Sequence, residues 1–253
     1  MYSIDYNSYR SVKSFNRRVR FLVLHYTAEN FHDSVTSLTG TATSVHYLIP
    51  DPSEKTYTDA GYQQLKIFNL VDEHERAWHA GVSGWAGRSN LNDTSIGIEI
   101  VNLASESNGV FTFPPYNSEQ IAAVKQLALN IIQRYPDLSP VNVVGHSDIT
   151  PGRKSDPGPA FPWQELYKAG IGAWYDDATK QRYQTQFCKT LPTQAQVIGK
   201  LQAWGYDTTA AGTPLGYQNL IRAFQLHFRP SGYAGSIDVE TAAILWALVD
   251  KYV

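Results

Sequence analysis

The chain has 253 residues, of which 43% are hydrophobic and 17% charged, with a formal net charge of -2. This length allows one large domain or a catalytic domain with a small appendage, and the composition excludes a disordered chain. The near-neutral charge offers no field to a nucleic-acid backbone, which excludes nucleic acid as the expected partner. The single Cys188 excludes an intrachain disulfide, so nothing depends on an oxidising compartment. Every apolar run is interrupted before it could span a membrane. The opening Met1-Tyr2-Ser3-Ile4 lacks the basic and apolar regions of a secretory leader, so either none is needed or one has been removed. Aromatic residues at 13% suit a sugar-stacking surface or a large core equally well.

Taken in chain order, Phe21 to His25 is a continuous apolar run with β character, repeated at Val45 to Pro50 and more weakly at Ile67 to Val71. Ser95 to Val101 is the clearest strand, in which Glu99 points to the face opposite Ile98 and Ile100. Residues 119–135 carry apolar side chains at helical spacing, with Ser118 as the expected N-cap and Pro136 as the stop. Val141 to Val144 reads as a buried strand ending at His146. Strands interleaved with helices predict an α/β domain built on one mixed central sheet flanked by helices. After Asp177 the pattern changes. Residues 176–192 are polar without periodicity, and helical patterns follow at 193–204, 216–228 and 238–252. The chain therefore divides into residues 1–180 and a small three-helix domain at 181–253, too short for a generous core of its own.

The loop from Gly145 to Gly158 packs His146, Lys154 and Asp156 behind a strand end, and His25 stands at another strand end. Two imidazoles and a carboxylate suit Zn²⁺ and leave one coordination position open. Hydrolysis then needs a proton acceptor that is not a ligand, for which Glu99 is the candidate, and Lys154 could meet a developing oxyanion. Each residue also has an ordinary reading: packed or solvated histidines, a solvent-facing glutamate, a charged loop. No HExxH or paired-cysteine motif decides between them.

Five segments in order carry a resemblance. They are Phe21-Leu22-Val23-Leu24-His25-Tyr26-Thr27-Ala28, Ser44-Val45-His46-Tyr47-Leu48-Ile49, Ala77-Trp78-His79-Ala80-Gly81, Asn92-Asp93-Thr94-Ser95-Ile96-Gly97-Ile98-Glu99, and Val143 through Gly158. Together, over residues 18–175, the chain resembles the zinc N-acetylmuramoyl-L-alanine amidases of the amidase-2 group, AmpD/AmiD-type, which are related to peptidoglycan recognition proteins. The resemblance implies one Zn²⁺ per chain on His25, His146 and Asp156, Glu99 as catalytic acid/base, and Lys154 as transition-state stabiliser. It implies Tyr47 near the metal and His79, Trp78 and Asn92 along the substrate groove. His79 and Trp78 could instead close a turn, and the Asn90–Thr94 segment could cap one. His46 falls on the opposite strand face from Tyr47 and reads as structural. The segments Leu220 to Gln225 and Gly235 to Leu245 resemble the helical peptidoglycan-binding type-1 domain.

The function implied is hydrolysis of the amide between the lactyl group of N-acetylmuramic acid and L-alanine, in peptidoglycan or (anhydro)muropeptides. The alternatives are a non-catalytic muropeptide-binding module and a zinc peptidase acting within the stem peptide. A wall-binding appendage favours the cell envelope or periplasm, while the missing leader favours the cytoplasm. Oligomeric state is not legible in the sequence.

Overall fold

The computed structural model describes residues 2–9, 11 and 17–253. In chain order it contains β1 (Phe21–Tyr26), α1 (Phe31–Leu38), β2 (Tyr47–Ile49), α2 (Lys55–Asp59), β3 (Phe68–Asn69), β4 (Gly84–Trp85), β5 (Arg88–Ser89) and β6 (Ser95–Ile100). There follow β7 (Ser105–Ser107), β8 (Val110–Thr112), α3 (Ser118–Arg134), β9 (Val143–Gly145), α4 (His146–Ile149) and α5 (Trp163–Lys168). The chain closes with α6 (Asp177–Phe187), α7 (Gln194–Trp204), α8 (Pro214–Phe228) and α9 (Val239–Tyr252).

Five strands form the central sheet in the order β3-β2-β6-β1-β9. β1 runs parallel to both β6 and β9, β2 runs parallel to β6, and β3 is an antiparallel edge. The sheet is therefore mixed, as the interleaved pattern predicts. Parallel strands covered on both faces read as near-continuous apolar runs, and Leu22, Val23, Leu24, Ile96 and Ile98 are all fully buried. α3 contributes Ile121, Val124, Leu127, Ala128 and Ile131 to the same core. Its N-cap is Asn117 rather than Ser118: the Asn117 side chain accepts from the Glu119 amide, and Gln120 returns a bond to the Asn117 backbone. Asparagine with a glutamine three residues on closes a reciprocal capping box, which Ser118 cannot do from one residue further along.

Two elements are not announced by hydrophobic pattern. α6 is polar, yet Tyr183 and Phe187 pack against α9 and Lys180 pairs with Glu240 at 2.8 Å; tertiary contact, not periodicity, makes it a helix. The hairpin β7–β8 turns at Asn108-Gly109, both at positive φ, a turn chemistry matched to the twist of a two-stranded ribbon. The three later helices match their predicted spans closely.

The apolar core runs unbroken from the sheet through Trp85 and Tyr206 to Phe224 and Phe228 of α8. Asp148, fully buried, ties this junction: one carboxylate oxygen accepts from the Tyr206 hydroxyl at 2.5 Å, the other from the Gly145 amide and His227 Nδ1, both at 2.7 Å. The His227 ring stacks on Trp163 and on Phe228. No helix among the described residues is long and apolar enough to cross a membrane.

Candidate active site

Register places the chemistry. His25 of β1 lies opposite Glu99 of β6, and Leu24 lies opposite Gly145 of β9, so His146 follows at the same level. The carboxyl ends of three parallel strands thus present His25, Glu99 and His146 at one edge of the sheet, where crevices of such sheets form. The loop after α4 folds back, its Asp156 carbonyl accepting from the Ser147 amide at 2.9 Å. That brings Asp156 Oδ2 to 3.0 Å from Nδ1 of both His25 and His146, which are themselves 3.0 Å apart.

The protons of these imidazoles can be traced. Ser95 donates its hydroxyl to the Leu91 carbonyl at 2.6 Å, so it must accept from His79 Nε2 at 3.1 Å. His79 Nδ1 then carries a lone pair and accepts from His25 Nε2 at 2.9 Å. His146 Nε2 faces the Ala80 carbonyl at 3.2 Å and donates to it. Both Nδ1 atoms therefore point lone pairs at each other and at a carboxylate. Burial, then the neighbouring His146, holds His25 down at about 4, so protonating it is no remedy. Three converging acceptors fit a cation between them, and corners of a tetrahedron with Zn²⁺-length arms stand roughly 3.3 Å apart. Among the described residues this is the group able to hold a metal ion, and all three members are buried.

Glu99 lines the adjoining cavity of about 730 Å³ with His146, Lys154 and Asp156. Its Oε2 is buried without a hydrogen-bond partner, and burial, then the charge of Asp156, pushes its carboxyl well above the usual range. Lys154 reaches the same cavity from an exposed loop position.

Of the expected groove residues, His79 lines the cavity, but its ring nitrogens are committed to His25 and Ser95. The structure does not bring Tyr47, Trp78 or Asn92 to the cavity wall. Tyr47 turns away to donate to Glu73 at 2.7 Å, because its neighbour His46 takes the inward face and accepts from the Gly97 amide at 3.0 Å. Trp78 stands 57% exposed beside Arg76. Asn92 is buried and accepts from the His79 and Ala80 amides, fixing the turn that carries His79.

Sequence reasoning missed three participants. Gly97 leaves room for the His79 ring, since a Cβ there would lie 2.6 Å from His79 Nδ1; a glycine inside an otherwise apolar strand is the signal for such close approach. Arg153 donates to the carbonyls of Ala80 and Val82, both at 3.0 Å, pinning the loop beside His146. α8 supplies Asn219, Arg222 and Leu226 to the cavity wall, and nothing in the local pattern of a core helix points to that.

Residues 15–159 match the amidase-2 family of N-acetylmuramoyl-L-alanine amidases, and the chain belongs to that family. It is 45% identical over 237 residues to the N-acetylmuramoyl-L-alanine amidase AmiD of Escherichia coli K12, covering 93% of this chain and 84% of that protein. The crystal structure of AmpDh3 from Pseudomonas aeruginosa in complex with anhydromuramic pentapeptide superposes with a TM-score of 0.97 at 60% identity, over 100% of this chain and 99% of that one. E. coli AmiD in complex with anhydro-N-acetylmuramic acid-L-Ala-D-γ-Glu-L-Lys superposes with a TM-score of 0.86 at 42% identity, covering 98% and 97%.

Proposed function

We propose that this chain is a zinc amidase that hydrolyses the bond between the lactyl carbonyl of N-acetylmuramic acid and L-alanine in muropeptides. The observation that carries the reading is the buried His25–His146–Asp156 triangle facing Glu99 across one cavity. Support also comes from the muropeptides bound by the P. aeruginosa and E. coli relatives. His25 Nδ1, His146 Nδ1 and Asp156 Oδ2 would hold the ion. When bound, Zn²⁺ supplies Lewis acidity, polarising a carbonyl and acidifying water.

Glu99 takes the proton of the water that attacks the lactyl carbon. The same carboxyl returns that proton to the leaving amine of L-alanine, so it serves both halves of the reaction. Lys154 meets the oxyanion that forms as the carbonyl becomes tetrahedral. His79 and Ala80 do not touch substrate in this scheme; through Nε2 of His25 and His146 they hold the two rings in the tautomer and orientation that ligation needs. The expected division at residue 180 falls inside α6, whose Tyr183 and Phe187 pack with α9. α6 therefore belongs with the C-terminal helices, which form the unit that resembles a peptidoglycan-binding domain, while the residues before α6 carry the catalytic groups. A wall-binding unit raises effective concentration on an insoluble polymer, which favours the cell envelope as the place of work.

The test is digestion of a soluble anhydromuropeptide, with mass spectrometry of the products, before and after chelation. The expected products are the anhydromuramic acid with a free lactyl carboxylate and a peptide with L-alanine at its amino terminus, with no release by chelated protein or by Glu99→Ala. Cleavage inside the stem, or equal cleavage by Glu99→Ala, refutes the assignment.

A further inference from the structure

Helix α8 belongs to the C-terminal part of the chain, yet it forms one wall of the same cavity as Glu99, Lys154 and Asp156. It is seated closely: a Cβ on Gly152 of the catalytic loop would overlap the Asn219 side chain. The cations at this cavity differ in what engages them. Arg153 is committed to the Ala80 and Val82 carbonyls, and Lys154 belongs to the reaction centre. Arg222 of α8 is half-buried and carries no ion pair among those found in the described residues. Its Nη2 is buried without any hydrogen-bond partner.

The guanidinium carbon of Arg222 lies 4.3 Å from the ring centroid of Phe111 on the β7–β8 hairpin and 5.4 Å from that of Tyr233. Aromatic faces hold a guanidinium flat and rigid but leave its in-plane N–H fork unsatisfied. A partly desolvated charge with free donors is costly until an acceptor arrives. Burial lowers the Arg222 guanidinium from its ordinary value, the mark of that uncompensated desolvation.

We infer that Arg222, held by Phe111 and Tyr233, is a subsite for a carboxylate of the stem peptide, and that its occupant is the free α-carboxylate of a γ-linked glutamate. A planar fork is matched to a carboxylate through two parallel hydrogen bonds. In the peptide bound to E. coli AmiD the glutamate is joined through its γ-carboxyl, which leaves the α-carboxyl ionised. This glutamate follows L-alanine, so its carboxylate lies within roughly 7 Å of the scissile nitrogen, two residues of extended chain. The inference rests on the amidase reading above. It gives the C-terminal helices a part in choosing the substrate, beyond any hold on the wall.

The experiment compares three anhydromuropeptides of equal length: one with D-glutamate, one with the α-amide D-isoglutamine, and one with D-glutamate and an amidated C-terminus. Wild type, Arg222→Gln and Arg222→Lys are assayed on each. Arg222→Gln is expected to raise KM about 10- to 30-fold on both glutamate substrates at unchanged kcat. On the isoglutamine substrate it should stay within about twofold of wild type, which also shows that the variant is folded. Arg222→Lys, with charge but no fork, should fall between. Equal loss on the glutamate and isoglutamine substrates, or no loss at all, overturns the subsite. So does a defect that follows amidation of the C-terminus instead. Wild type that releases no L-alanine peptide from any substrate refutes the amidase reading itself, a result distinct from a failed Arg222 comparison.

Discussion

Adding one methyl group at Gly97 should disable the metal site from a position that touches no ligand. An alanine Cβ would lie 2.6 Å from Nδ1, 2.7 Å from Cγ and 2.8 Å from Cε1 of His79. Relieving that overlap moves the ring by about 1 Å, which stretches the 2.9 Å bond to His25 Nε2 past hydrogen-bonding reach. His25 then loses the partner that fixes its tautomer. Loss of such a partner lowers metal affinity about 10- to 100-fold, or about 1.4–2.8 kcal/mol. Overpacking itself destabilises by about 1–3 kcal/mol. Zinc affinity is read by competition with a chromogenic chelator and stability by thermal melting, for Gly97→Ala, His79→Ala and the double variant. Because His79→Ala empties the space the methyl would enter, the double variant should match His79→Ala within about 0.5 kcal/mol. Wild-type zinc affinity in Gly97→Ala refutes the reasoning. So does a double variant in which the two losses simply add.

Glu99→Gln keeps the shape of the side chain but cannot accept a proton, so kcat should fall at least about 100-fold with metal content unchanged. Glu99 must be ionised to accept that proton, so kcat/KM should fall as pH drops through the titration of its carboxyl, and Glu99→Gln should lose this acid limb. An acid limb that survives unchanged in Glu99→Gln would count against Glu99 as the base. Tyr206→Phe leaves one oxygen of buried Asp148 unpaired; a charged hydrogen bond of that kind contributes about 2 kcal/mol, so the melting temperature should drop by about 4–8 °C. An unchanged melting curve would remove the Asp148 junction as a source of stability. His46 is lowered from 6.5 to about 4, chiefly by burial. Its neutral form is the one that folds, so its contribution is complete above pH 6.5 and is lost as pH falls from there towards 4. A gap of about 2.5 pH units corresponds to about 3 kcal/mol. Urea titrations across that window should show a flatter pH dependence for His46→Gln than for wild type; parallel curves would assign the acid sensitivity elsewhere.

Features with a local or periodic cause were legible in the chain alone. Buried parallel strands must be apolar along their whole length, which made β1 and β6 legible, and helical spacing marked α3, α7, α8 and α9 within a few residues. His25, His146 and Asp156 stood out as candidates from strand ends and a glycine-punctuated loop, and the ordered motifs that resemble a known family singled them out; the structure brings them together as a group that could hold a metal ion. Relations between residues distant in the chain emerged from the folded molecule. The parallel register set Glu99 beside His25. At the start of β2, Tyr47 turned to Glu73 and His46, the residue before the strand, took the Gly97 amide. The hydrogen-bond chain from Leu91 through Ser95 committed the ring of His79, which lines the cavity as expected, to holding His25. Packing of α8 against the Gly152 loop brought Arg222 to the cavity, and α6 became a helix only because α9 receives its two aromatic rings. Local pattern records which face of an element is buried, but not what it is buried against, and the candidate site is made of those second facts as much as of the first.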